Sequence, residues 1–326
     1  MRLDNFITES SNIDPYVVVS EVYNRSLPYI QELIREFHHI NLKTPMLLSG
    51  RNSEDTIIVK QIRTNRYPKD TNYAAHEILD DIFDSIFHVR ARSASIFVTG
   101  LYRTADSYGN KVYTIFPNGT DYKIIWSPSI EDLYSDIVDS GEYRHLGESL
   151  EDVINDLING GSFYHDEARD NLAASFESDN SKDDFESEDD YMMALDDFVD
   201  SRLEDEVYDI ARTQAEEEMG NSEYEIKELI RERYKEGHLK EAILSKNEIM
   251  LSGWSYTGVR YDYLPFILRY MEVHGAKKPT QHMFNSAMVG LDIKDFPNTL
   301  HMSQQTLRNR LSKATLASID ISDLKK

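Results

Sequence analysis

Strand-like sequence occurs twice in this chain, at 46–130 and again at 247–261, with more than a hundred residues of acidic, helix-patterned sequence between the two. In the first stretch, short apolar, β-rich runs (PMLLSG, TIIVKQI, ASIFVTGLY, KVYTIF, YKIIW) are separated by Gly, Asn, Asp and Pro, which mark turns. KNEIMLSG and YTGVRY return to that texture far downstream. Strands far apart in sequence usually complete one sheet, so a site on that sheet would draw on both ends of the chain. The fold class read from this arrangement is α+β.

The remaining chain is patterned for helix. Asp14-Pro15 is a good cap and first-turn pair, and Val18, Val19 and Tyr23, then Ile30, Leu33, Ile34 and Phe37, recur at threes and fours, so residues 1–45 are expected to be helical. Inside the strand-rich stretch, Ala74, Ile78, Leu79, Ile82, Phe83 and Ile86 form one face of a predicted helix over Tyr73–Phe87. Helical patterning resumes in EDLYSDIVDS and LEDVINDLING, and a long charged helix is expected from about 191 to 242, with a break near Gly220-Asn221. The last stretch, 275–326, holds eight Lys and Arg against four acids and reads as a small, mildly basic helical tail.

Charge narrows the function classes. The 326 residues include 35 Lys and Arg and 58 Asp and Glu, a net charge of −23 with histidine neutral. That argues against nucleic-acid or anionic-membrane binding by the whole chain, because phosphate contacts need clustered cations, and leaves nucleic acid only the basic tail. Between Glu177 and Glu206 fourteen acids face two bases, Lys182 and Arg202. SDNSKDDFESEDD carries one aromatic and no aliphatic residue, so weak order is expected around 165–190. No calcium-loop spacing with a glycine turn occurs there, which favours a solvated charge run over an ion site. With no cysteine, disulfides, thiolate metal sites and a cysteine nucleophile are excluded. Nothing approaches the length of a membrane span, and the Asp and Glu in MRLDNFITES stand where a secretory signal needs an apolar run, so Sec export is not expected.

No phosphate loop, dinucleotide fingerprint, zincin helix or nucleophile elbow is present. His38 and His39 would point to different sides of a helix, which makes joint metal ligation improbable, and no metal site is expected. What remains is polar residues at strand ends. Arg51 follows Gly50 at the end of an apolar run, placed either to fork onto a phosphate or to sit exposed in a turn. Arg63 and Arg66 precede Asp70-Thr71, which can cap the helix carrying His76, so the arginines can reach an anion near its positive end. His76 is either a ligand-facing residue or a polar-face or capping histidine. Ser93 and Ser95 share one strand face ahead of Phe97, where hydroxyls can hold a ligand or orient a carboxylate. Glu248 enters the apolar strand IMLS as an edge gatekeeper or a working carboxylate.

Together these residues resemble a known family. Arg51, then Ser-x-Ser on a strand, then Glu248 heading an apolar strand is similar to the arginine–serine–glutamate class of mono-ADP-ribosyltransferases. The closer resemblance is to ADP-ribosyltransferase-like proteins of tailed bacteriophages. It rests on Arg66-Tyr67-Pro68-Lys69-Asp70-Thr71, His76, Arg92-Ser93-Ala94-Ser95-Ile96-Phe97-Val98-Thr99-Gly100, Tyr108-Gly109, and Trp126-Ser127-Pro128 with Asp132-Leu133. It covers about 45–135 well and 245–262 loosely.

The resemblance implies a split antiparallel β-sheet core made of 46–135 and 243–272. Residues 1–45 would precede it as helices, 136–242 would loop out as an acidic helical insertion, and 273–326 would follow as the tail. It implies NAD as substrate. Arg51 would anchor the pyrophosphate or nicotinamide ribose, and Ser93 or Ser95 would shape the nicotinamide pocket and position Glu248. Glu248 would bind the ribose hydroxyl and stabilise the oxocarbenium-like cation as nicotinamide leaves. Arg66 and His76 complete the expected cofactor-binding set, and Phe97, Tyr102 or Tyr108 would stack on nicotinamide. The chain departs from arginine-modifying members two residues before the glutamate, where Lys246 replaces Glu or Gln.

The function expected from the resemblance is a phage transferase that modifies a host macromolecule, acting in the host cytoplasm or carried in the virion. The alternative is a non-catalytic virion or interaction protein that keeps the fold and docks on other virion proteins. A metal-dependent hydrolase has no ligand spacing behind it.

Overall fold

The alternation in KVYTIF and SYTGVR sends every second side chain to one face, as a strand covered on both sides by different partners requires. A computed structural model describes residues 13–66, 73–133, 136, 148–160, 163–185, 187–292 and 294. The chain divides into two compact units, one built from Met1–Tyr67, Phe83–Leu133 and Arg231–Lys326, the other from Pro68–Ile82 and Tyr134–Ile230.

The first unit holds both sheets. Its strands are β1 (Leu48–Arg51), β2 (Ile57–Gln61), β3 (Ser95–Val98), β4 (Lys111–Pro117), β5 (Lys123–Trp126), β6 (Lys235–Glu236), β7 (Ile249–Ser252) and β8 (Ser255–Arg260). They form two antiparallel four-stranded sheets, ordered β1-β4-β8-β2 and β3-β7-β5-β6. The fold is α+β. The returning pair does not complete a single sheet. Only Gly253 and Trp254 separate β7 from β8, yet β7 lies between β3 and β5 while β8 lies between β4 and β2. Gly253, at φ +147°, makes the change of direction that sends the chain from one sheet to the other. Both sheets therefore wait for residues 249–260 to gain their central strands.

One face of the second sheet, carrying Ile96, Val98, Ile124, Trp126, Ile249 and Leu251, joins a core that also takes Leu48, Ile115, Phe116 and Val259 from the first. Helix α1 (Pro15–Phe37) seals this core with Val18, Val22, Ile30 and Leu33, all fully buried and each contributing roughly 1.5–3 kcal/mol. Asp14 caps it as expected, accepting from the Tyr16 amide at 2.9 Å. Pro28 removes a helical hydrogen bond, and the kink falls at Ser26 (φ −120°, ψ 25°), whose hydroxyl donates to Asn118 Oδ1 at 2.9 Å.

Helix α2 (Tyr73–Phe87) occupies the predicted span and crosses the division between the units. Its buried face is rotated from the expected one and includes His76 and Asp80 beside Leu79, Ile82 and Phe83. A short helix, α3 (Tyr102–Ser107), follows β3.

The second unit is helical: α4 (Leu150–Gly160), α5 (Phe163–Asp179), α6 (Glu188–Asp200) and most of α7 (Leu203–Arg233). Helices α5 and α6 cover most of the stretch around 165–190. Phe185, the lone aromatic of the acidic run, meets Tyr191 at 5.2 Å and Phe176 at 6.2 Å, and Phe176 meets Phe198 at 5.3 Å. Phe176, Tyr191 and Phe198 all lie outside the run SDNSKDDFESEDD that holds Phe185. The break expected at Gly220 is absent, and α7 runs through it. A single exposed glycine costs a helix about 1 kcal/mol without ending it. Back in the first unit follow α8 (Leu239–Ser245), α9 (Leu264–His274) and α10 (Gln281–Met288); α10 falls in the helical tail expected over 275–326, of which residues 295–326 lie outside the described residues. Among the described residues no helix is long and apolar enough to cross a membrane.

Candidate active site

Among the described residues one isolated β-bridge links the two sheets. Leu48 and Thr99 exchange backbone hydrogen bonds of 2.8 and 2.9 Å, and beyond them β1 and β3 pair with different neighbours. The Ser49 hydroxyl reaches across to the Phe97 carbonyl at 3.3 Å. Beside this seam α3 presses its C-terminal end onto β1. A Cβ on Gly50 would stand 2.1 Å from the Ala105 carbonyl oxygen, and one on Gly109 would stand 2.3 Å from the Arg51 nitrogen. Only glycine allows that approach, and it sets Arg51 and Tyr108 on neighbouring segments.

Arginines gather at the seam. Arg51 ends β1, with its guanidinium 5.5 Å from the centre of the Tyr256 ring and its Nε shut off from solvent without a hydrogen-bond partner. The Arg66 backbone donates to the Ser93 carbonyl at 3.0 Å, which lays its guanidinium over the Phe97 ring at 4.3 Å. Arg92 approaches the same ring at 5.9 Å. Burial holds the Arg66 pKa below its ordinary value; Glu248 pulls it upward, and Arg92, Arg51 and Arg63 push it further down. Cations this close need a counter-charge.

Glu248 supplies it. Three ties fix the turn that carries it. Lys246 ends α8 in the left-handed conformation (φ 67°), rare for a side-chain-bearing residue, and its carbonyl accepts from the Thr99 hydroxyl at 3.0 Å. Asn247 Nδ2 donates to the Ser127 carbonyl at 2.9 Å, and the Glu248 amide donates to the Glu131 carbonyl at 3.3 Å. Glu248 Oε1 is sequestered and has no hydrogen-bond partner. Burial pushes the carboxyl up to about 7; Arg92 and Arg66 pull it down, while Asp132 adds to the rise. Tyr108, 70% exposed at the end of α3, is raised by burial of its hydroxyl and by Asp132 and Glu248. A near-neutral carboxyl among guanidiniums can accept a hydrogen bond from a ligand hydroxyl, and once ionised it can face a cation.

The expected residues are divided by this geometry. Arg51, Arg66, Phe97, Tyr108 and Glu248 lie together. Ser95 does not join them: it pairs with Ser252, about 10 Å along β7 from Ile249, the residue after Glu248, and its buried hydroxyl donates to the Ala91 carbonyl. Ser93 lies in the turn before β3 and not on the strand as expected; Ser95 shares the Phe97 face, but the pairing register sets it at the far end of the strand. Ser93 contributes the carbonyl that holds Arg66. Phe97 is covered by guanidinium and Tyr102 lies against Tyr261 with ring centres 4.8 Å apart, so Tyr108 is the aromatic left open for stacking. His76 belongs to the other unit, where it is buried with Nε2 3.6 Å from Asp80 Oδ2, neither a polar-face nor a capping residue. Asp70 and Thr71, the expected caps of α2, lie outside the described residues.

Arg63 joins Arg66 here as the sequence suggests, whereas Arg92, Thr99, Asp132 and Tyr256 carry no assigned site role in the sequence. Arg92 and Asp132 sit inside runs that carried the resemblance, so their signal was present; Tyr256 and Thr99 read as ordinary strand residues. Among the described residues no three acids or histidines are grouped to hold a metal ion. No family model matches the chain, and no curated protein or solved structure matches it.

Proposed function

We propose that the seam between the two sheets is the site of a mono-ADP-ribosyltransferase of the arginine–serine–glutamate kind, which cleaves NAD between nicotinamide and ribose and passes ADP-ribose to a host macromolecule. The observation that carries the reading is the sequestered, partnerless carboxylate oxygen of Glu248 facing Arg66 and Arg92. Arg51 Nε is a partnerless buried donor on the same unit. A dinucleotide offers what each atom lacks: diphosphate oxygens accept from arginine, and a ribose hydroxyl donates to a carboxylate. As the glycosidic bond opens, positive charge grows on the ribose, and Glu248 stabilises that charge more in the transition state than in the ground state. Tyr108 lines the exposed side, where the nicotinamide ring stacks.

The position of Ser95 favours a second reading, a non-catalytic interaction protein on the same framework, because the serine of the triad is not available to orient Glu248. Incubation of the full chain with NAD separates the two. The transferase releases free nicotinamide, and Glu248→Gln abolishes the release while the variant keeps its circular-dichroism spectrum. Equal release by wild type and variant, or none by either, would leave the interaction protein as the better account.

A further inference from the structure

The sequence run from Trp126 to Leu133 has no part in the chemistry above, yet it is built against the turn that carries Glu248. The Ser127 hydroxyl, fully buried, accepts from the amides of Ser129 and Ile130 at 3.2 and 3.0 Å and curls the segment. The Ser127 carbonyl receives Asn247, and the Glu131 carbonyl receives the Glu248 amide. Buried Ile130 and Leu133 anchor either side of Asp132, which is itself half-buried and reachable from solvent. Its charge acts on both Glu248 and Tyr108. The residues next to Glu248 in sequence carry no carboxylate, since Lys246 and Asn247 precede it and Ile249 and Met250 follow.

We propose that Asp132 is a catalytic residue of this cleft, the base that takes the proton from the oxygen nucleophile attacking the ribose. The assignment rests on reading the cleft as an NAD-cleaving site. Two carboxylates carried on segments that are hydrogen-bonded to each other, one sequestered and one half-exposed, can divide the labour of such a reaction. Glu248, sequestered, faces the developing cation, whereas Asp132, open on one side, meets the acceptor arriving from water. The bond from ribose C1′ to nicotinamide breaks with its electron pair staying on the ring nitrogen, which leaves neutral nicotinamide. A lone pair of the incoming oxygen forms the new bond to C1′, and the proton of that oxygen passes to Asp132. Among the described residues, the charged and titratable groups that act on Glu248 include Arg66, Arg92 and Asp132, and Tyr108 feels both acids.

The test uses the full chain, NAD, and sodium azide as an added nucleophile that carries no proton to lose. Asp132→Asn should lower nicotinamide release in water by about 100-fold or more, with NAD affinity little changed, and azide should restore release to near the wild-type rate while forming the azido adduct of ADP-ribose. Glu248→Gln should stay inactive with azide, because its defect lies in stabilising the cation. Wild-type turnover by Asp132→Asn would overturn the base role and leave the NAD-cleaving reading standing. A loss that azide does not restore, accompanied by a shifted pH profile, would also overturn it and reduce Asp132 to tuning Glu248. Absence of release by the wild-type chain would overturn both. Should Asp132→Asn melt early, Asp132→Glu decides: it keeps a base and should retain release without azide, and its inactivity when folded would sink the assignment.

Discussion

Replacing Glu248 by Gln should make the protein more stable, and increasingly so as pH rises. The carboxyl titrates near 7 in the folded chain against an ordinary value of 4.5, because it is buried and the attraction of Arg92 and Arg66 only partly offsets that burial. The folded state therefore holds a proton that the unfolded chain has released between those two values, and stability falls as pH climbs through them. Below about 4.5 both states are protonated and the acid costs nothing; above about 7 the full cost is present. At roughly 1.36 kcal/mol per unit, that cost is about 1.4 kcal/mol at pH 5.5 and about 3 kcal/mol at pH 8. Gln has the same shape and no titration, so the variant should exceed wild type by those amounts, a difference that grows by about 2 kcal/mol across the range. Denaturant melts followed by tryptophan fluorescence report the right region, because the chain's two tryptophans, Trp126 and Trp254, both belong to the unit that carries the site. A chain of net charge −23 gives up that charge on acidification, which makes pH 5.5 the practical floor. An advantage of the variant that stays constant with pH, or a variant less stable than wild type at pH 8, would refute the claim that Glu248 is a desolvated acid.

The same ionisation should appear in activity. Nicotinamide release per unit of free NAD, measured as kcat/KM, is expected to rise tenfold per pH unit below about 7 and flatten above it, as Glu248 loses its proton; a profile flat from pH 6 to 8 would exclude this carboxylate as the working form. Gly50→Ala should destabilise the site-bearing unit by about 3 kcal/mol, read by the same fluorescence melts, since the new methyl meets the Ala105 carbonyl at 2.1 Å and backbone cannot yield cheaply. Phe176→Ala should cost the helical unit about 3 kcal/mol and speed amide hydrogen exchange across α5 and α6, because it removes the ring shared by Phe185, Tyr191 and Phe198. Unchanged exchange there would mean that the acidic helices persist without their aromatic cluster.

Local chemistry made much of the fold legible. The capped start of α1, the span of α2 and the strand runs all depend on patterns a few residues long, and those patterns translate directly into helix and strand. The acidic run SDNSKDDFESEDD shows the limit of a short window: it holds Phe185 alone, while Phe176, Tyr191 and Phe198, which form the ring cluster with it, lie outside it. The rotation of α2 was hidden by its composition. Ala74 and Ile78 suggest one inward face, but His76 and Asp80, an i,i+4 pair, can go inside together where neither could alone.

Register is where the sequence stops informing the site. Alternation puts Ser95 and Phe97 on one strand face, and the structure agrees, but alternation has no origin: it cannot say which residue of β7 stands opposite. The pairing of Ser95 with Ser252 and of Val98 with Ile249 sets that origin, and it brings Glu248 to the Thr99 end of β3, beside the bridge to Leu48. A slip of two residues would have kept every side chain on its face and moved the carboxylate away from the seam. What prevents the slip is not in the strands. Thr99 binding the Lys246 carbonyl, Asn247 reaching Ser127 and the Glu248 amide on Glu131 lock the turn before β7, so the position of the Glu248 carboxylate is set by three polar contacts that have no signature in hydrophobic pattern. The Arg51 and Glu248 ends of the cleft thus come from opposite constraints, a glycine pair that permits backbone contact and a polar turn that forbids sliding.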